Sequence, residues 1–435
     1  MSLWHLPREL YAEISRFLVD DIHDVSRLIR KLAKKNIVKD IRDGKTYKNG
    51  LLHSFNDAPA VVYADRSEWY SEGKLHRKEK PAICYVNGDC KYYKKNRLHS
   101  YNDEPAIKNT NGYLAWYQNN DCHRANDLPA VIWPNGDREW YQRDNCHRDG
   151  DQPAKIFANG TQEWWIRGNC HRDGDQPAVI FVNGDREWYQ HGECHRQNGP
   201  AVVKANGDRE WYQNGNRHRD GDLPAIEHSN GDREWYQNDD LHRDGDQPAK
   251  IFAVGTQEWY QHDKLHRDND QPAVVYANRD CEWHQNDKLH RDGDQPAKIF
   301  INGSKVWYQN GNRHRDGDLP AIEHSNGDRE WYQNGELHRN DDKPAKLFIN
   351  GSKLWFQNGK CHRNGDQPAA IKTNGDREWY QNDKLHRDGD KPAVCYVDGS
   401  VAYFIQGKRH RDNDLPAVIK ANGDCEWYIM DGRIR

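Results

Sequence analysis

The sequence predicts a mainly β protein. The expected architecture is an elongated antiparallel β-meander, or solenoid, of about 16 tandem 23–24-residue repeats, with a short α-helical N-terminal segment. Three observations carry this. A histidine recurs at positions 53, 76, 99, 123, 147, 171, 195, 218, 242, 266, 290, 314, 338, 362, 386 and 410, and a fixed period of this length is the mark of a repeat architecture. Each period holds β-rich runs punctuated by Asn-Gly or Asn-Asp, the strongest short hairpin signals. Helical spacing of apolar residues is confined to residues 3–36.

That first segment supplies the boundary between residues 1–40 and an array over 41–435. Leu10, Ile14, Phe17 and Leu18 fall on one helical face, and Val25, Leu28, Ile29 and Leu32 on another. Pro7 suits a first helical turn. On residue pattern alone the segment reads as an amphipathic cap over an exposed sheet edge, which repeat arrays need.

Within the array, a Pro-Ala pair follows each histidine, from Pro59-Ala60 to Pro416-Ala417. An aromatic pair, usually Trp-Tyr, stands before the next histidine, as at Trp69-Tyr70 and Trp427-Tyr428. In the stretch NGDREWYQNGELHR, from Asn326 to Arg339, both Asn-Gly pairs are expected to be hairpin turns. A turn centred on Asn334-Gly335 pairs Gln333 with Glu336, Tyr332 with Leu337 and Trp331 with His338, and sets Glu330 opposite Arg339. Trp188, His195, Trp235, His242, Trp331, His338, Trp379 and His386 then form a tryptophan–histidine ladder along one face, with tyrosine and leucine on the other. Burial of that ladder would hold its histidines below their ordinary pKa. The stretch from Asn214 to Asn238 repeats unchanged from Asn310 to Asn334, as expected of a duplicated scaffold rather than of separately tuned active sites.

Composition narrows the function. Only 35% of residues are hydrophobic and 30% are charged, so a thick aliphatic core is not expected, while 17 tryptophans and 22 tyrosines supply rigid apolar faces. The 64 basic and 68 acidic residues nearly balance, which removes the footprint of a dedicated nucleic-acid or membrane binder. No apolar run approaches the roughly 18 residues a membrane span requires, and the N-terminus lacks a secretory signal's layout. An intracellular, cytoplasmic location with free thiols follows as the expectation.

Two motifs suggest a metal, and each has a plainer structural reading. Cys122, Cys146, Cys170 and Cys194 each precede a histidine. Two strands per repeat, about 4.8 Å apart, would separate equivalent positions by roughly 10 Å, whereas zinc holds ligands at about 2.0–2.3 Å. Leu337 and Leu385 fill the same position elsewhere, so cysteine reads as a small hydrophobe. The recurring Asp-Gly-Asp, as at Asp149-Gly150-Asp151, could offer oxygens to calcium. It lacks the further acidic ligands of an EF-hand loop, and Gln197-Asn198-Gly199 replaces it in one unit. No catalytic residue, metal or cofactor is expected, because an enzyme needs one converging set of unlike residues and here the same residues recur every period.

The stretch EWYQNGELHR resembles the MORN repeat, and more closely its divergent variant with a Trp-Tyr-x-Asn-Gly-x-x-His core. The family's Gly-rich close is replaced by His-Arg-Asp-Gly-Asp-x-Pro-Ala. That resemblance implies an antiparallel β-meander used in binding or scaffolding; the family's lipid affinity is not expected where no basic stripe recurs. Leu6-Pro7-x-Glu9-Leu10, followed by Ile14, Phe17-Leu18, an Asp-rich break and Leu28, resembles an F-box, although the third, Trp-containing helix of that pattern is missing. The resemblance implies docking to a Skp-type adaptor of cullin–RING ubiquitin ligases through Leu6, Pro7, Leu10, Ile14, Phe17, Leu18 and Leu28. The combination is similar to repeat proteins of large DNA viruses of amoebae, which would place it in host cytoplasm. The expected function is a non-enzymatic protein-interaction scaffold, serving as a substrate adaptor for a ubiquitin ligase. Its expected partners are proteins, not nucleic acid or a small-molecule substrate. The alternatives are a purely structural virion or cytoskeletal protein and an antitoxin-like immunity protein.

Overall fold

The computed structural model describes residues 39–434, and every regular element among them is a β-strand. The F-box-like positions Leu6 to Leu28 lie outside the described residues. Chain contacts divide the molecule into two compact units at Asn198–Gly199.

A three-stranded antiparallel sheet comes first, formed by Lys39–Arg42, Lys45–Lys48 and Leu51–Leu52. The repeats then follow one plan. Ile322–Glu323 pairs with Arg329–Glu330 in the register Ile322↔Glu330 and Glu323↔Arg329. Arg329–Glu330 pairs in turn with Lys346–Leu347 of the next repeat. Two strands per repeat thereby build an antiparallel meander. Twelve such strands, from Val61–Val62 to Arg186–Glu187, belong to the first unit, and twenty, from Val202–Val203 to Cys425–Glu426, to the second.

The rest of each repeat forms a separate hairpin outside that meander. Tyr332–Gln333 pairs with Glu336–Leu337 in the expected register, Tyr332↔Leu337 and Gln333↔Glu336. Asn334 and Gly335 both have positive φ, 48° and 90°, the signature of a type I′ turn, whose twist matches that of its strands. The Asn326-Gly327 turn differs. The His324 N–H bonds the Asp328 carbonyl at 3.0 Å and the Gly327 N–H bonds the His324 carbonyl at 2.9 Å. Only Gly327 is left-handed, at φ 94°, so Ser325-Asn326-Gly327 is a three-residue turn ending in a glycine bulge.

Trp331 is the corner between the two layers. Its N–H reaches the Ala345 carbonyl of the next repeat at 2.8 Å, and its own carbonyl accepts the His338 N–H at 3.0 Å. The expected neighbour relation of Trp331 and His338 holds in the backbone. The expected apposition of Glu330 and Arg339 does not, because Glu330 has already been committed to the meander. The thin core lies between the layers. In one cluster Trp355, Cys361 and Ala369 are buried, with Phe356, Ile371 and Tyr380 packed against them. The alanine of every Pro-Ala pair is sealed; Ala321, Ala345 and Ala369 are 0% exposed, and a longer side chain there would overpack the junction.

Candidate interaction surface

The chemistry-bearing residues of each repeat are spent on joining one repeat to the next. Arg339 stacks on Trp331, its guanidinium carbon 3.8 Å from the ring centroid. Its Nε and a terminal nitrogen donate to Asp318, 21 residues earlier, and the other terminal nitrogen to the Pro344 carbonyl. The Trp331 indole N–H donates to the Asp318 carbonyl at 3.1 Å. A bidentate fork over an aromatic face requires arginine's planar geometry. The same clamp recurs at Arg148–Asp127–Trp140, Arg243–Asp222–Trp235 and Arg387–Asp366–Trp379. Arginine and lysine hydrogen bonds hold the Asp318 carboxyl at about 2.

The Asp-Gly-Asp loop is thereby accounted for. In Asp316-Gly317-Asp318 the second carboxylate serves Arg339, and the first accepts from His314 Nε2 at 3.0 Å and Gln309 Nε2 at 3.0 Å. Among the described residues no group of three or more His, Cys, Asp or Glu side chains is arranged to hold a metal ion. Burial pushes the Cys122, Cys146 and Cys170 thiols up to about 12, and each packs as a core residue. Glu330 shows the same economy. Burial alone would raise its pKa, but the Tyr332 hydroxyl, Lys346 and His324 outweigh that and hold it lowered.

The predicted ladder resolves into two different roles. Trp188, Trp235, Trp331 and Trp379 are buried, with their indole nitrogens on the carbonyls of Asp175, Asp222, Asp318 and Asp366. His195, His242, His338 and His386 are half-buried, and the histidines follow a rule that sequence inspection missed. Where the next hairpin turns through X-Gly, its first turn N–H donates to the histidine Nδ1. Asn334 to His314, Asn358 to His338 and Gln406 to His386 are examples, at 3.2, 3.2 and 3.3 Å. Where the second turn residue is Asp or Asn, its side chain instead takes a backbone N–H of the preceding hairpin. Asp263 accepts from Leu241 at 2.8 Å and Asp383 from Cys361 at 2.7 Å. The preceding histidine, His242 or His362, then keeps a buried Nδ1 with no hydrogen-bond partner among the described residues. The signal was present in the sequence as Asn-Gly against Asn-Asp, but its meaning depends on a contact between repeats.

A second surface was also not foreseen. The residue before the Asn-Gly or Asp-Gly of each such three-residue turn stands at the outer tip of the meander. Val86 and Val182 in the first unit, and Ile301, Ile349 and Val397 in the second, are 63–79% exposed. Their backbones are fixed: the Asp328 carboxylate accepts the Ile349 N–H at 2.7 Å, and Asp376 likewise holds Val397 at 2.9 Å. Val182, Ile349 and Val397 each sit over the glycine of the preceding turn; a Cβ on Gly327 would stand 3.2 Å from Ile349 Cδ1. Half-exposed aromatics flank the tips, including Trp133, Tyr276 and Tyr396. Within each unit these aliphatic tips share one rim on pinned backbone, with polar tips such as Ser325 and Thr373 between them. Grooves between successive loops, of about 270–330 Å³, are lined by the Trp, His, Arg and Asp residues of these clamps.

Comparison with protein-family models gives no match for this chain, and comparison with curated proteins gives none either. Among the described residues no helix is long and apolar enough to cross a membrane.

Proposed function

We propose that the chain is a non-enzymatic protein-interaction scaffold whose docking surface is the apolar rim of turn tips. The observation that carries this reading is the contrast between two residue sets. Trp, Arg, His and Asp are consumed in holding repeats together, while Ile301, Ile349 and Val397 are 63%, 71% and 68% exposed on pinned backbone. Exposed aliphatic side chains recurring along one edge are unfavourable in water and mark interaction surfaces, and a fixed backbone lowers the ordering cost of binding. The partner is a protein, and the resemblance of Leu6 to Leu28 to an F-box supports a role as substrate adaptor of a Skp-type/cullin ubiquitin ligase.

The two halves of the proposal separate experimentally. Leu10→Asp with Ile14→Asp should abolish capture of a purified Skp-type adaptor and leave rim binding intact; unchanged capture would sink the adaptor role. Ile301→Asp with Ile349→Asp and Val397→Asp should remove proximity-labelled partners in cells without changing the melting temperature. Retention of those partners would overturn the rim as the docking surface.

A further inference from the structure

The array's departures from its own period are as informative as its regularity, and one departure brings two thiols together. In the strand Ile83–Tyr85, Cys84 lies directly across from Cys90 of the strand Cys90–Lys91. The two sulfurs are 4.0 Å apart, and both residues are half-buried. The flanking bond runs from the Tyr85 N–H to the Asp89 carbonyl at 2.8 Å. Cys84 and Cys90 therefore form the next, non-hydrogen-bonded pair, in which opposite Cα atoms approach to about 4.5 Å. That separation is inside the range of about 4.4–6.8 Å that a disulfide spans.

The repeat supplies its own controls. Cys281, Cys395 and Cys425 occupy the same two sheet positions in other repeats, but they face Val275, Val401 and Ile419 across the hairpin. Their sulfurs have a comparable setting and no thiol opposite. Cys122, Cys146, Cys170 and Cys361 are buried in the core.

We infer that Cys84 and Cys90 form a redox-modifiable dithiol that closes to an intrachain disulfide by exchange with a low-molecular-weight disulfide such as oxidised glutathione. One cysteine thiolate attacks a sulfur of the small disulfide, forming a protein mixed disulfide and expelling one thiolate. The facing cysteine, as thiolate, attacks the protein sulfur of that mixed disulfide and expels the second. The protein loses two thiol protons and two electrons, and the small disulfide is reduced to two thiols. Burial, the facing Cys90 sulfur and its hydrogen bond push the Cys84 thiol up to about 11. Exchange depends on the thiolate fraction, so closure should speed up as pH rises. The bond would staple the turn that carries Val86, which is 79% exposed at the tip of the rim.

The test uses the reduced full-length chain in glutathione buffers of increasing oxidised fraction, with free thiols trapped by a maleimide and peptides mapped by mass spectrometry. The expected result is a Cys84–Cys90 cross-linked peptide, lighter by two hydrogens, under conditions where Cys281, Cys395 and Cys425 carry only mixed disulfides or free thiols. Recovery of Cys84 and Cys90 as free thiols or as two separate mixed disulfides, like the controls, would overturn the inference. The Cys90→Ser variant should leave Cys84 as a mixed disulfide. It should also abolish the oxidation-dependent rise in melting temperature that the native pair shows; persistence of that rise in the variant would equally overturn the inference.

Discussion

Replacing Trp331 by alanine tests the corner on which each repeat turns. Trp331 is 6% exposed, and a tryptophan buries about 150–250 Å², worth roughly 4–6 kcal/mol at about 25 cal/mol per Å². Direct large-to-small measurements put such a change at about 3–5 kcal/mol. The Asp318 carbonyl would also lose its indole donor, about 1 kcal/mol, and Arg339 its aromatic platform, about 1 kcal/mol. A loss of about 5 kcal/mol follows. The comparison is Tyr396→Ala in the same unit, at a tip where the ring is 42% exposed and the gap can fill with water, for about 1–2 kcal/mol. Urea unfolding gives both values, and exchange of the His338 amide, which is bonded to the Trp331 carbonyl, reports the local junction. Equal losses for the two variants, or a Trp331→Ala protein within about 1 kcal/mol of the parent, would refute the role assigned to the corner.

Two further outcomes follow from the turns and the histidines. Asp383 sits at φ 69° and takes the Cys361 N–H, so Asp383→Ala should cost about 2 kcal/mol, one for the bond and one for a left-handed alanine. Asp383→Gly should cost less, because it creates the X-Gly turn whose first N–H can reach the unpartnered His362 Nδ1; a glycine variant melting at or below the alanine one contradicts the rule. Acid should weaken the fold between pH 7.5 and 5.5. Burial, aided by Lys48, Lys95 and Lys94, holds His53, His76 and His99 below their ordinary pKa. The unfolded chain then binds more protons than the folded one, so stability is complete above about pH 7.5 and is lost as pH falls through the unfolded value of about 6.5. Protonation at Nδ1 would also set a donor against the turn N–H that now bonds it, as at Glu72 and His53. A melting temperature that is flat across this window would contradict both arguments.

Much of the repeat was legible because its signals are local. Asn334-Gly335 fixes a type I′ turn by its own backbone preferences, and the pairing of Tyr332 with Leu337 follows from counting outward from that turn. Counting failed one residue beyond Trp331. Glu330 belongs to a strand that pairs with the next repeat, and Arg339 reaches back to Asp318. No local rule tells a chain to leave one ladder and enter another; the burial of an indole against a neighbouring repeat does. Asn326-Gly327 is a hairpin turn as expected, and the structure adds that it closes from His324 to Asp328 through three residues.

The sequence by itself determined the period, the strand content and the hairpin register, because these arise from turn chemistry and alternation within about ten residues. It also implied a shared role for the Trp, His, Arg and Asp of the repeats, because the same side chains recur in each. Only the tertiary structure decided what those side chains do. It turned the showy Trp, His, Arg and Asp into ties between repeats, left aliphatic tips such as Ile349 facing water, and set Cys84 against Cys90. The physical reason is range. A turn is chosen by torsional preferences along the chain, whereas a contact across 21 residues exists only once stacking has placed its two partners side by side.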